Sequence, residues 1–288
     1  MVADKLFSIG RAASVSGVST KTLRYYESLG LIMPTKVSDE NGYRYYDRET
    51  LLLIPVIKYY RQIGLDLKRI KELISEASCS NHYYFLEQRK DEIKAEKEKL
   101  LVSMTSVDDW MQLIIEGELC LKNQELSYPP KKKSSVNLKY YAEEKHFCQI
   151  KQDFSYNFKE SIINLEWIKY LEENQLEVSG PVILKYDSYS EKIAGKIKFA
   201  TIMQHCFPEA HCGYTFGGFL ALSAYHIGSL ATIGDTYQQI ISHAKENGIS
   251  LQNETYERHV IDYWVTQRED EFVTEVIIPV IKKDEIEY

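Results

Sequence analysis

No stretch of this 288-residue chain approaches the ~20 apolar residues of a membrane span, so membrane insertion is not expected. The opening Met1-Val2-Ala3-Asp4-Lys5-Leu6-Phe7-Ser8 holds no signal-peptide hydrophobic segment. Cysteine is scarce: Cys79, Cys120, Cys148, Cys206 and Cys212 are an odd set without framework spacing. Free thiols in a reducing cytoplasm are the expectation. A phosphate-cradling glycine loop is missing, since Gly217-Gly218 stands alone. No nucleophile–base–oxyanion set can be picked out either, which argues against an enzyme.

What is present is segregated charge. The chain carries a net −7, but residues 1–77 hold +3 and the remainder −10. A basic front and an acidic rear suit two tasks, and the length suits more than one domain. Tyrosine is abundant, with 22 copies, and its flat ring with a polar tip serves core edges and ligand pockets alike.

The front reads as short helices with tight turns. Ser8 is placed to cap a helix from Ile9 to about Val15, and Gly17 breaks it. Ser19 is placed to cap a second helix, Thr20 to about Leu29, stopped by Gly30. Ile9, Ala12, Ala13, Val18, Leu23 and Leu29 form their shared core, the helix-turn-helix pattern. Asn41-Gly42 predicts a tight hairpin with both turn residues at positive φ, its return strand carrying Tyr43, Arg44, Tyr45 and Tyr46. Asp47 caps a third helix to Ile63 that contains Pro55, and Asp66 a fourth, Leu67 to about Ser75.

From Asn81 to Gly117 there is neither proline nor glycine before the last residue. Leu86, Ile93, Leu100, Val107 and Ile114 recur every seven positions, with Met104 and Met111 between them and Lys90 and Lys97 earlier. So long a helix with so narrow a stripe predicts a dimer coiled coil, the alternative being one amphipathic helix packed on its own domain. Tyr128-Pro129-Pro130-Lys131-Lys132-Lys133-Ser134-Ser135 reads as a linker. Beyond it, strands are predicted at Val182–Tyr186, Phe199–Cys206, Val260–Thr266 and Phe272–Ile281, with a helix over Ile233–Glu246.

The strings Phe7-Ser8-Ile9-Gly10, Val18-Ser19-Thr20-Lys21-Thr22-Leu23-Arg24-Tyr25-Tyr26-Glu27, Gly30-Leu31-Ile32, Asn41-Gly42-Tyr43-Arg44-Tyr45-Tyr46 and Ile63-Gly64-Leu65-Asp66-Leu67-Lys68-Arg69-Ile70 resemble, in order, the MerR family of transcription regulators. Arg11 and Pro55 depart from the family pattern outside these motifs. The physics agrees with the resemblance. Lys21 and Arg24 share an exposed helix face, and Ser19 and Thr20 sit at its N-terminus, where free N–H groups meet phosphate. Lys21 and Arg24 suit the major groove, with Tyr25 offering a hydroxyl to phosphate. Tyr43, Arg44 and Tyr45 on the hairpin, and Lys58 and Arg61 on the third helix, suit flanking backbone. The resemblance implies a homodimer on double-stranded promoter DNA. It further implies activation beside RNA polymerase holoenzyme, by distortion of over-long spacer DNA.

The rear strings Tyr225-His226-Ile227-Gly228-Ser229-Leu230, Tyr237-Gln238-Gln239, Glu254 to Trp264 and Val273 to Val280 resemble the multidrug-sensing ligand domain shared with gyrase-inhibitor-like proteins. The likeness covers roughly residues 180–280 and is looser over 136–180. It implies an acid on the penultimate strand, within an aromatic pocket, that meets a small organic, cationic aromatic effector. Glu257 is the first candidate and Asp262 the second; on a regular strand the two face opposite ways. Tyr186, Tyr189, Phe216, Phe219, Tyr225 and Tyr263 are candidate walls, and His259 stands where many relatives have tyrosine. Each wall residue is as readily plain core.

The expected fold is therefore α+β and multi-domain: a winged helix-turn-helix DNA-binding domain over residues 1–77, a long antiparallel coiled-coil dimerisation helix over 78–120, a linker over 121–135 and an α+β ligand-binding domain over 136–288. No cofactor and no resident metal are expected. The pairs His205-Cys206 and His211-Cys212, with Cys79, leave a metal- or thiol-sensing regulator as an alternative. Hydrolysis in the rear domain, with Glu257 or Asp262 activating water, is a further one.

Overall fold

The computed structural model describes residues 6–75, 78–126, 135–153, 165–207 and 212–281. The linker positions 127–134 and His211 lie outside the described residues. The chain divides into two compact units, Met1–Lys99 and Leu100–Tyr288. The division falls within one helix, Cys79–Glu125, which extends beyond Asn81–Gly117 at both ends. No helix among the described residues is long and apolar enough to cross a membrane.

In the first unit, strand β1 (Phe7–Ser8) leads into helices α1 (Ile9–Ser16) and α2 (Thr20–Ser28). Strands β2 (Lys36–Val37) and β3 (Arg44–Tyr46) follow, then α3 (Arg48–Gln62), α4 (Leu67–Ser75) and the start of α5 (Cys79–Glu125). The small sheet has the order β1-β3-β2, and β3 pairs antiparallel with both neighbours. Three predicted caps are made: Ser19 Oγ accepts from the Thr22 N–H at 3.0 Å, Asp47 Oδ1 from Thr50 at 2.8 Å and Asp66 Oδ1 from Arg69 at 2.8 Å. Each closes an orphan donor of a helix start, worth ~1 kcal/mol. Ser8 stands at the start of α1 but makes no capping hydrogen bond. Ala12, Leu23, Tyr46, Ile54, Ile57, Ile70 and Leu73 are the buried centre of this unit.

The hairpin differs from the two-residue turn expected. The Ser38 N–H donates to the Tyr43 carbonyl, so the loop is wider, and only Gly42, at φ 68°, takes positive φ. Asn41 instead uses its side chain, Oδ1 accepting from the Tyr43 N–H at 3.0 Å. Tyr43 consequently lies before the strand. Helix α3 runs through Pro55, which sits on its exposed side. After it, Gly64 turns the chain at φ 86°, and a Cβ there would stand 2.5 Å from an Arg89 nitrogen. That close approach lets Arg89 Nε donate to the Ile63 carbonyl at 2.8 Å, fixing the first turns of α5 to the end of α3.

The second unit is built on strands β4 (Asn137–Tyr141), β5 (Glu144–Asp153), β6 (Glu177–Tyr186), β7 (Phe199–Phe207), β8 (Tyr214–Phe216), β9 (Phe219–Ile227), β10 (Thr255–Ile261) and β11 (Val273–Pro279). They form one antiparallel sheet, order β4-β9-β11-β10-β6-β7-β5-β8. Helices α6 (Leu165–Glu173), α7 (Tyr189–Ile193) and α8 (Ile233–Glu246) complete it. Glu257 lies in a rung with Val276 and Ala224 on one side and Leu184, Ile202 and Ile150 on the other. Those apolar neighbours belong to the main core, to which α6 adds Trp167 and α8 adds Tyr237 and Ile240. The neighbouring rung, with Arg258, Ile183 and Met203, has the opposite parity, so it faces away from that core. A second cluster there joins Ile183 and Met203 to Tyr141, Phe147, Phe216, Tyr256 and Ile277, with Phe219 packed on it.

Several sequence expectations change here. The penultimate strand begins at Thr255 and ends at Ile261, not Val260 to Thr266. Strand β6 starts at Glu177 and carries Gly180-Pro181 within it, because register slips between Ser179 and Ile183. Strands β4, β5 and β9 and helix α6 had no sequence counterpart. Cys206 and Cys212 are disulfide-bonded, against the expectation of free thiols, while Cys79, Cys120 and Cys148 are free.

Candidate functional sites: a basic helix face and a tryptophan-lined cavity

On α2, the side chains of Ser19, Thr20, Lys21, Arg24 and Tyr25 are all exposed, while Leu23 and Tyr26 turn inward. The helical period thus separates a polar, basic face from the core. On the hairpin, Tyr43 is exposed, and Arg44 and Tyr45 are half-buried. Arg44 is already engaged: its Nε donates to both oxygens of Glu27, at 2.9 and 2.8 Å. The Glu27 hydrogen bond and charge together push the guanidinium further above its usual range. On α3, Lys58 Nζ donates to the carbonyls of Ser16 and Gly17 at 2.9 and 3.1 Å. It satisfies the C-terminal end of α1, where a cation is favoured. Arg61 donates to the Leu65 carbonyl at 3.2 Å. Both are exposed and both hold the fold, a duty that sequence reasoning did not assign.

In the second unit, the candidate effector residues separate. Glu257 is 2% exposed, and Tyr237 and Tyr186 donate their hydroxyls to its two oxygens, at 3.0 and 3.2 Å. The carboxylate expected to meet a cation is met by one from the chain itself: Lys192 Nζ, on α7, stands 3.3 Å from Glu257 Oε1. The same ammonium donates to the Tyr186 hydroxyl at 3.0 Å and lies 4.1 Å from that ring's centre. Burial pulls the lysine below its usual range, and Glu257 opposes that pull. Tyr189 opens α7 and packs on the core.

Phe216 and Phe219 belong to the opposite face of the sheet. There they pack with Tyr256 at centroid distances of 5.4 Å each. Tyr225 donates to Glu116 of α5 at 2.6 Å. Glu116 also pairs with Arg258, whose Nε donates to Glu275 at 2.7 Å, and Tyr141 donates to Glu275 at 2.6 Å. Burial works against the arginine's charge, yet the two carboxylates raise its pKa overall. Tyr263 meets Phe272 edge-on at 4.7 Å. The single aromatic pocket read from the sequence is thus not one place, because alternate residues of a strand face opposite sides.

Asp262 and His259 do come together, in a cavity of about 350 Å³. An uninterrupted strand would aim them apart, but register shifts between His259 and Ile261 and the strand then ends. All three tryptophans of the chain line the same cavity: Trp110 from α5, Trp167 from α6 and Trp264 beyond β10. Trp110 and Trp264 lie 6.5 Å apart between centroids. Ile168, Leu171, Val178 and Val182 complete the apolar wall, and Gln204 adds a polar group. Burial pushes the Asp262 carboxyl up, partly offset by the Trp264 N–H that donates to it at 3.1 Å. Burial, with the Lys192 charge second, pushes the His259 imidazole down to about 3, so it stays neutral. Its Nδ1 lies 3.2 Å from Thr274 Oγ1, while His259 Nε2 and Gln204 Oε1 are buried without a hydrogen-bond partner. A buried polar atom left unpaired is costly.

Trp110, Trp167, Gln204, Trp264 and Lys192 escaped the sequence reading. The scarcity of tryptophan was the one usable signal for the first two and Trp264; nothing marked Gln204 or Lys192. Of the residues in the His-Cys pairs that the structure describes, His205 packs edge-on against Phe207 at 4.9 Å, and Cys206 is bonded to Cys212. Among the described residues, no three His, Cys, Asp or Glu side chains are grouped to hold a metal ion.

A winged helix-turn-helix with an exposed basic helix, a long helix and a separate sheet domain define a DNA-binding transcription regulator with an appended domain. The MerR HTH family of regulatory proteins matches residues 7–77. The mercuric resistance operon regulatory protein of Bacillus cereus is 36% identical over 99 residues, covering 33% of this chain and 74% of that protein. The multidrug-efflux transporter 2 regulator of Bacillus subtilis is 24% identical over 289 residues, 96% of this chain and 97% of that one. Among solved structures, the cryo-EM structure of the EcmrR–DNA complex in EcmrR-RPo aligns with a TM-score of 0.41 at 22% identity, over 96% of this chain and 100% of that one. The chain belongs to the MerR family of transcription regulators, and these relatives are regulators, not enzymes.

Proposed function

We propose that this protein is a cytoplasmic, homodimeric activator that responds to an organic, cationic aromatic effector. The effector-binding domain spans residues 136–288, with the DNA-binding domain over 1–77 and the dimerisation helix over 78–120. The effector enters the tryptophan-lined cavity, its charge meets Asp262 rather than Glu257, and its rings lie against indole faces. The one observation that carries this reading is the convergence of all three tryptophans on a buried carboxyl. Ligand binding favours one arrangement of the dimer, which distorts over-long spacer DNA between promoter elements and lets RNA polymerase holoenzyme engage. Trp110 gives the effector direct contact with α5, and Arg258 ties β10 to α5 through Glu116.

Titration of the purified protein with ethidium, a monocationic planar dye, tests the reading. Tryptophan emission is quenched and the melting temperature rises, and Asp262→Asn weakens both effects at least tenfold. Absence of quenching and of any thermal shift sinks it.

A further inference from the structure

The surroundings of Lys192 have the chemistry of an occupied cation site. A carboxylate oxygen of Glu257 lies at 3.3 Å, a tyrosine hydroxyl at 3.0 Å, and the Tyr186 ring at 4.1 Å from its centre. A carboxylate, an acceptor oxygen and an aromatic face are what a bound ammonium ligand requires, and here the ammonium is part of the chain. The filled site adjoins the open one. Glu257 and His259 are two positions apart on β10 and share a face, so they are roughly 7 Å apart along the strand. His259 lines the cavity, and the Lys192 charge is felt at its ring. Of the two candidate carboxylates, Glu257 is thus already paired, and Asp262 is the one that lines the cavity.

We propose that Lys192 restricts this protein to effectors with a single positive charge, because its tethered ammonium fills the cation site at Glu257 beside the effector cavity. The inference rests on the cavity being the effector site. Lys192 is then a specificity-determining residue, and removing its ammonium opens a second acidic position within reach of a ligand already seated against the tryptophans.

Ethidium and propidium test this, since they share one phenanthridinium ring, and propidium adds a second, quaternary ammonium on a three-carbon arm. Dissociation constants for both dyes are measured on the full-length protein by fluorescence, without DNA. The wild type binds ethidium at least tenfold more tightly than propidium. In Lys192→Met, that preference shrinks tenfold or more through gained propidium affinity, and Lys192→Met/Glu257→Gln restores it. Lys192→Gln, which keeps a donor for Glu257 without the charge, gives the same expectation and serves if the methionine variant does not fold. A natively folded variant with the wild-type preference overturns the inference while leaving the cavity assignment intact. A wild type that binds neither dye overturns both.

Discussion

Gly117 of α5 and Ile261 of β10 meet with no room for a methyl group: a Cβ at position 117 would stand 2.2 Å from Ile261 Cγ1. Leu113, one turn earlier, is buried in a cluster with Val260, Ile261 and Val273. The second half of the long helix is therefore packed on the sheet through a stripe distinct from the heptad positions. Gly117→Ala gains up to ~1 kcal/mol of helix propensity but overpacks a branched side chain at a cost of ~1–3 kcal/mol. A net loss of roughly 1 kcal/mol follows. Urea unfolding checks it; an alanine variant more stable than wild type means that the helix and sheet are not in this close contact.

The basic face of α2 and the Arg44–Glu27 pair give opposite expectations for DNA. Arg24→Ala removes an exposed charge, so operator affinity falls and the salt slope flattens by about 1. Glu27→Gln frees Arg44 from its carboxylate, so affinity rises at low salt and the slope steepens. Fluorescence anisotropy across a salt series reads both. Equal slopes for Arg24→Ala and wild type remove α2 as the phosphate-facing element.

The first unit was legible almost throughout, because its signals are local. Asp47 and Asp66 cap the helices predicted for them, and Gly17, Gly30 and Gly64 stop helices at positive φ. The second unit was legible in part: the helix Ile233–Glu246 and the strands expected at Val182–Tyr186, Phe199–Cys206 and Phe272–Ile281 are there, while β4, β5, β8 and β9 were not read. Its strands pair across the chain. Glu144–Asp153, too polar to read as a strand alone, is one because β7 lies beside it. The site followed the same divide. Glu257 and Asp262 could be picked by residue type, but which was free depended on Lys192, 65 positions before Glu257 and on another element. The register slip that brings Asp262 to His259 is likewise a property of the pairing with β11.

The heptad stripe remains exposed along a single chain, Leu100 at 65% and Met104 at 63%. So much apolar surface on one helix argues for a second copy. Leu100→Lys together with Met104→Lys places like charges along the proposed seam. Sedimentation equilibrium then shows a monomer at concentrations where wild type is a dimer, and operator binding loses its cooperative step. An unaltered dimer moves the contact to another surface.

His259 makes the second unit acid-sensitive in a calculable direction. Folded, its pKa lies near 3; unfolded, it returns to about 6.5. Between those values the unfolded chain binds the extra proton, so stability is full above about pH 6.5 and is lost as pH falls toward 3. The slope from this one group is at most about 1.4 kcal/mol per pH unit. Asp262 acts with the opposite sign, since burial raises its pKa and charging it opposes folding as pH rises. It is retained in His259→Gln, so the difference between the two proteins isolates the imidazole. Urea midpoints of wild type fall between pH 7.5 and 5.0, and those of His259→Gln fall less. Parallel curves would mean that the ring is protonated in the folded state, and with it that the cavity is wetter than the tryptophans around it imply.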